Sequence, residues 1–211
     1  MPNQPVHRNQ RLFGVGLGLT LAILGQSAGA GDAMIEQVGA SNRATVAQHA
    51  VGSNANIAQV GSANNAHIDQ RGASSARIDQ RGSANAADVH QHGVGNQAAI
   101  SQSGATNQAY LMQGTGNRAW QIQNGADNRA ELSQATANVA LQRQSGAGND
   151  AHTAQNGAAN TGLETQVGDG HFVSLTQNGS GLFADLTQTG SGKTLTVIQS
   201  GAAAAIVIQQ R

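Results

Sequence analysis

The chain has 211 residues, is 38% hydrophobic but only 2% aromatic, and contains no cysteine. Most of its apolar residues are alanine, which excludes a thick globular core, and the missing thiols exclude a disulfide framework or a thiolate metal site. A formal net charge of zero with 10% charged residues argues against a nucleic-acid partner, whose phosphates require a basic surface, and removes the repulsion that keeps proteins apart.

Residues 1–30 differ from the rest. His7, Arg8 and Arg11 make a basic start, Leu12 to Leu24 is a short apolar run broken by glycines, and Ala28-Gly29-Ala30 is a small-x-small site. This predicts a secretory signal peptide cleaved after Ala30. A transmembrane anchor is the alternative, but a helix over the apolar run spans only roughly 20 Å against a ~30 Å hydrocarbon core.

The remainder, 31–211, is a repeat. Asn42-Arg43-Ala44-Thr45-Val46-Ala47-Gln48 returns as Asn64–Gln70 and Asn96–Gln102, and glutamines recur from Gln37 to Gln210 at intervals of 11, with three of 10. An 11-residue period suits a right-handed coiled coil or a strand plus a tight turn. A glycine in nearly every unit, with frequent Asn, Thr and Val, excludes the helix. Each unit is therefore a seven-residue alternating strand and a link of the form x-Gly-x-x, where glycine supplies positive φ for the reversal.

Alternation assigns the faces. Asn42, Ala44, Val46 and Gln48 point inward, while Arg43, Thr45 and Ala47 point outward. Stacking identical units ~4.8 Å apart lays amide over amide. The expected ladders are Asn42, Asn64, Asn85, Asn96, Asn107, Asn117 and Asn128 with Gln48, Gln70, Gln91, Gln102, Gln113, Gln123 and Gln134. The irregular units set the coil. Gln121, Gln142 and Glu164 replace the inner aliphatic residue in alternate units, and the three short links also precede alternate units. Both facts predict an all-β fold: a two-sheet parallel β-solenoid of 22-residue coils, strand-turn-strand-turn, with about 17 strands. Ordering one coil costs roughly 1–2 kcal/mol per residue, while an inner aliphatic side chain returns ~1.5–3 kcal/mol. A lone coil is therefore unstable, and an existing edge is a template.

The phrase Gln-x-Gly-x-x-Asn-x-Ala-x-(Ile/Val)-x-Gln, as in Gln59, Gly61, Asn64, Ala66, Ile68 and Gln70, resembles the curlin repeat, and does so over about residues 33–210. The resemblance implies a secreted, self-assembling subunit of curli, the functional amyloid of bacterial biofilm matrix. Its implied place is the extracellular cell-surface fibre, associated with the outer membrane. The implied partners are other curlin subunits, the major subunit and further copies of itself among them, together with curli secretion and assembly proteins at the outer membrane. No cofactor is implied. The ending through Lys193, Val197, Ile198 and Gln199 to Gln209-Gln210-Arg211 looks like that of the minor subunits, which nucleate the major one. The number of repeats leaves the major, fibre-forming role open.

The last units, about 167–211, diverge. The Asn position becomes His171, Leu182, Lys193 and Ala204. Lys193, Leu195, Val197, Ile206, Ile208 and Gln210 are read either as a drifted cap or as an exposed edge that templates another chain. Trp120, Leu141 and Leu163 share one outward position on the units carrying Gln121, Gln142 and Glu164, an apolar column suited to lateral contact. His90 and His92 are placed on opposite sides of a strand end, which discounts a metal pair. Outward charges such as Arg43, Asp69, Arg77, Asp79 and Arg129 are expected to be solubilising gatekeepers. An enzyme on a β-helix needs clustered carboxylates and long loops, whereas the acidic residues here are scattered and the spacing constant. A ligand- or ice-binding solenoid needs a regular outward ladder, and Thr165, Thr176 and Thr187 fall on alternating sheets.

Overall fold

A computed structural model describes residues 10–16, 20–25 and 31–211. One sheet of ten strands holds, in spatial order, β1 (Gln10–Val15), β3 (Asp32–Ala40), β5 (Asn54–Ser62), β7 (Ser75–Ser83), β9 (Gln97–Ala105), β11 (Arg118–Ala126), β13 (Val139–Ala147), β15 (Thr161–Asp169), β17 (Phe183–Ser191) and β19 (Ala205–Gln210). The other, of nine strands, holds β2 (Thr20–Gly25), β4 (Arg43–Gln48), β6 (Asn65–Gln70), β8 (Ala86–Gln91), β10 (Gln108–Thr115), β12 (Arg129–Thr136), β14 (Asp150–Ala158), β16 (Phe172–Ser180) and β18 (Thr194–Ala202).

Every neighbouring pair is parallel, and like pairs with like: Ile57 faces Ile78, which faces Ile100. This is the expected two-sheet parallel β-solenoid. From β3 onward partners lie 21 or 22 residues apart, as in the Gln59–Gln80 and Gln80–Gln102 bonds, whereas Gln10 pairs with Ala33 and Thr20 with Arg43. The three short links join β6 to β7, β10 to β11 and β12 to β13, all on one edge of the stack, as the irregular units predicted. The 19 strands exceed the expected 17 because β1 and β2 fall inside the segment read as a signal peptide. The proposed cleavage residues Ala28 and Ala30 lie outside the described residues.

The alternation holds. Asn42, Ala44, Val46 and Gln48 are buried, and Arg43 is exposed. Alanine and aliphatic columns fill the narrow space between the sheets, but the apolar core is not continuous. One cluster runs from Ala33 to Ala140, and a second holds Ala151, Val173, Leu175, Ala184, Leu186 and Val197.

The turn chemistry differs from expectation. The repeat glycine is not where the chain reverses. Gly61 lies inside β5, one residue before its end, at φ 122, and the left-handed turn residue is Ala63, at φ 56. Glycine is demanded by stacking: a Cβ on Gly61 would sit 1.9 Å from the Gly82 carbonyl oxygen of the next coil. The residue before each ladder Asn takes the left-handed conformation even as Ser41, Ala84, Thr106 or Asp127.

Candidate functional site

The amide columns are hydrogen-bonded end to end. In the ten-stranded sheet each glutamine Nε2 donates to the Oε1 of the next coil: Gln80 to Gln102 at 2.8 Å, Gln102 to Gln123 at 2.8 Å, and so on to Gln188 and Gln210 at 2.9 Å. The nine-stranded sheet carries a second row, from Gln48 to Gln70 at 3.1 Å through Gln91, Gln113 and Gln134 to Gln177 and Gln199 at 2.8 Å. The second N–H of each glutamine crosses the stack. Gln59 donates to the Arg43 carbonyl at 3.0 Å, and Gln80 to that of Asn65 at 3.0 Å. The rows thus fix strand to strand and sheet to sheet.

The asparagines staple the links. Asn64 Nδ2 donates to Asn42 Oδ1 at 3.1 Å and to the Gly82 carbonyl at 3.0 Å, and Asn42 Oδ1 also accepts the Asn64 backbone N–H at 3.0 Å. Asn85, Asn107 and Asn128 continue this column. Asn96 and Asn117 belong to the opposite edge. A buried amide left without partners is costly, and here almost all capacity is met. The rows have a direction. Glutamine donors all point toward the C-terminal coils, and at the start of one row Gln37 Oε1 is buried without a partner, because β1 sets Gly14 opposite it.

Two ladder members were missed by the sequence reading, and a third, His171, was placed at the asparagine position without its hydrogen bonds. Ser53 and Ser74 stand in the asparagine column, donating to the carbonyls of Gly72 at 3.1 Å and Gly93 at 2.9 Å. His171 imitates an asparagine in full. It is buried, its Nε2 lies 3.2 Å from the Val167 carbonyl and 3.1 Å from that of Gly190, and its Nδ1 accepts the Lys193 N–H at 3.3 Å. Those partners require a neutral ring with the proton on Nε2. Spacing of 21–22 residues from known members, which already placed His171, is the signal that finds Ser53 and Ser74.

The expected column Gln121, Gln142 and Glu164 forms a third row through the middle of the core. Gln121 Nε2 donates to Gln142 Oε1 at 2.9 Å, and Gln142 Nε2 donates to Glu164 Oε2 at 3.1 Å. Thr153, from the facing sheet, donates to Glu164 Oε1 at 2.6 Å. Burial pushes the Glu164 carboxyl up to about 8 against the opposing pull of the Thr153 and Gln142 hydrogen bonds, so it is mostly protonated at neutral pH. This polar row separates the two apolar clusters.

Outside, Trp120, Leu141 and Leu163 do stack in register. Trp120 is 38% exposed, and the other two are half-buried. Asp69 is not the solvated charge expected. It is buried and sits beside Arg71, at 3.2 Å, and His49, at 3.6 Å. His90 does not pair with His92, whose ring centre is 6.5 Å away, but meets residues of neighbouring coils. At the C-terminal end β18 and β19 each have a single neighbour among the described strands. Lys193, Leu195, Ile206, Ile208 and Gln210 are only half-buried there, while Val197 is buried.

Three stretches, residues 73–104, 82–114 and 172–201, match the family model described as curlin associated repeat. The chain carries curlin-associated repeats. No curated protein matches it. The matched curlin repeats cover about a third of the chain. Residues 115–171, between the matches, hold all three members of the polar third row and two of the three short links. Within this stretch the break in the matched repeats coincides with the break between the two apolar clusters.

Proposed function

We propose that the chain is a secreted curli subunit that acts as the minor, nucleating component and templates polymerisation of curlin at the cell surface, in biofilm matrix and adhesion. The observation that carries this reading is the complementarity of the two ends of the stack. At one end β18 and β19 offer unpaired backbone and half-exposed Leu195, Ile206 and Ile208. At the other the glutamine row begins with an acceptor, Gln37 Oε1, that has no donor. Since the glutamine donors all point toward the C-terminal coils, the C-terminal edge suits an incoming first coil in the same register, and the joint adds ladder bonds without turning a strand over. Removal of 1–30 as a signal segment would uncover β3 and β4 as the receiving edge.

Trace amounts of the full mature chain should shorten the lag of major-subunit polymerisation, followed by an amyloid dye, and a chain lacking 189–211 should not. Equal seeding by both would overturn the reading. The uninterrupted glutamine rows favour a second reading, as a major fibre-forming subunit. In that case the mature chain fibrillates alone with a ~4.7 Å diffraction spacing and leaves the lag of the other subunit unchanged.

A further inference from the structure

On the outer face of the nine-stranded sheet three potential ligands converge. His67 of β6 lies opposite Asp88 of β8, and His90 follows two residues after Asp88 on the same face. One ligand atom from each lies within 4.8 Å of the other two, and all three side chains are half-buried. The sheet supplies this triangle rigidly, because one side crosses the strand ladder and another runs along β8. His90 Nε2 stands 3.0 Å from Asp88 Oδ1. Two donors at ~2.1 Å from a tetrahedral ion are separated by ~3.4 Å. That pair is therefore within about 0.4 Å of coordination spacing, and Asp88 Oδ1, although buried, accepts no hydrogen bond.

A second carboxylate backs the group. Asp69 is 8% exposed, its Oδ2 lies 3.9 Å from His90 Nδ1, and its Oδ1 has no hydrogen-bond partner. Metal-bound histidines typically present their other nitrogen to a carboxylate; Asp69 Oδ2, which accepts from Arg71 at 3.2 Å, would close its 3.9 Å gap to His90 Nδ1 to take that place. Two imidazoles with one carboxylate select zinc or a similar late first-row ion over calcium or magnesium, which take oxygen ligands.

We infer that His67, Asp88 and His90 form a site for a divalent transition-metal ion, zinc being the best match, with Asp69 positioning His90. The ion would tie β6 to β8 and leave its remaining coordination positions open to solvent. The same face carries its own comparison. His152 of β14 repeats the His90 geometry, with Nε2 3.0 Å from Asp150 Oδ1 and Nδ1 3.3 Å from Glu131 Oε2. There the position equivalent to His67 is Arg129, opposite Asp150, and a guanidinium cannot ligate. The site lies outside the ladders, so it stands or falls independently of the assembly reading.

The test is zinc chloride binding to the full chain by calorimetry and by retained metal after dialysis. One ion per chain is expected. His67→Ala and His90→Ala should each weaken binding by more than tenfold. Asp69→Asn should weaken it about tenfold with the stoichiometry kept. With cobalt as probe, the visible bands should vanish in His67→Ala and shift in Asp69→Asn. His152→Ala should bind like the unaltered chain, and unchanged circular dichroism would show that each variant is folded. No zinc retained by the unaltered chain, equal binding by folded His67→Ala, or equal loss in His152→Ala would overturn the site.

Discussion

Ala84, in the left-handed region at φ 53, illustrates how stacking overrides local preference. An L-residue pays roughly 1–2 kcal/mol there, and glycine gives back about 0.5–1 kcal/mol in chain entropy. Ala84→Gly should therefore raise stability by about 0.5–1 kcal/mol in denaturant unfolding. Gly104 is the reverse case: its φ is 116, and a Cβ would lie 2.0 Å from the Gly125 carbonyl oxygen. Gly104→Ala should cost more than about 2 kcal/mol by the same measurement, because a neighbouring coil has to move. Glu164 carries the pH dependence. Its folded pKa, raised to about 8 from 4.5, exceeds the unfolded one, so the folded chain binds the extra proton. Its contribution to stability is full below about pH 4.5, declines as pH rises through the window to about 8, and is lost above it, by an amount on the order of a few kcal/mol. Glu164→Gln should flatten that slope in unfolding curves taken across this window and leave the variant more stable than the parent at pH 9.

Between strands, the ladder makes the cost of a glutamine depend on its place in the row. Gln80→Ala leaves Gln102 Oε1 and the Asn65 carbonyl without the donor they now share, in a site closed to water. Roughly 2–4 kcal/mol should be lost. Gln210→Ala removes one bond at a half-exposed edge and should cost under about 1 kcal/mol. Equal midpoint shifts for the two in denaturant would contradict a ladder held by burial. The two-sheet coil itself was legible in residues: Gln121, Gln142 and Glu164 fall in alternate units, and the short links fall on one edge. The role of the repeat glycine was not legible, because its constraint comes from a carbonyl about 21–22 residues away and not from its own turn.

Across the whole molecule, the polar row of Gln142, Thr153 and Glu164 interrupts an otherwise continuous apolar core. A stack in which each coil touches only its neighbours has a stability that sums over interfaces, so a weak interface divides it. Amide hydrogen exchange should resolve two cooperative units meeting near β13 to β15, with the unit containing Leu175 and Leu186 opening separately from that containing Ile57 and Ile78. Glu164→Leu should merge them. A single exchange isotherm in the parent chain would count against the division.

The sequence by itself determined the strand, its inner face, the 22-residue coil and the glutamine rows, since all of these follow from alternation and period within one stretch of chain. It also marked Asn42–Gln48 as half of a coil and the last units as different. Only the tertiary structure decided what each residue meets one coil away. Stacking gave His171 an asparagine's hydrogen bonds, gave the ladders their direction, and made Gly61 obligatory through the Gly82 carbonyl. It also turned Asp69 from a surface charge into a buried one and brought His67 to Asp88 and His90. These are contacts between residues some twenty positions apart, whose side chains are aligned by the parallel register, and nothing in the local sequence at either residue reports the other.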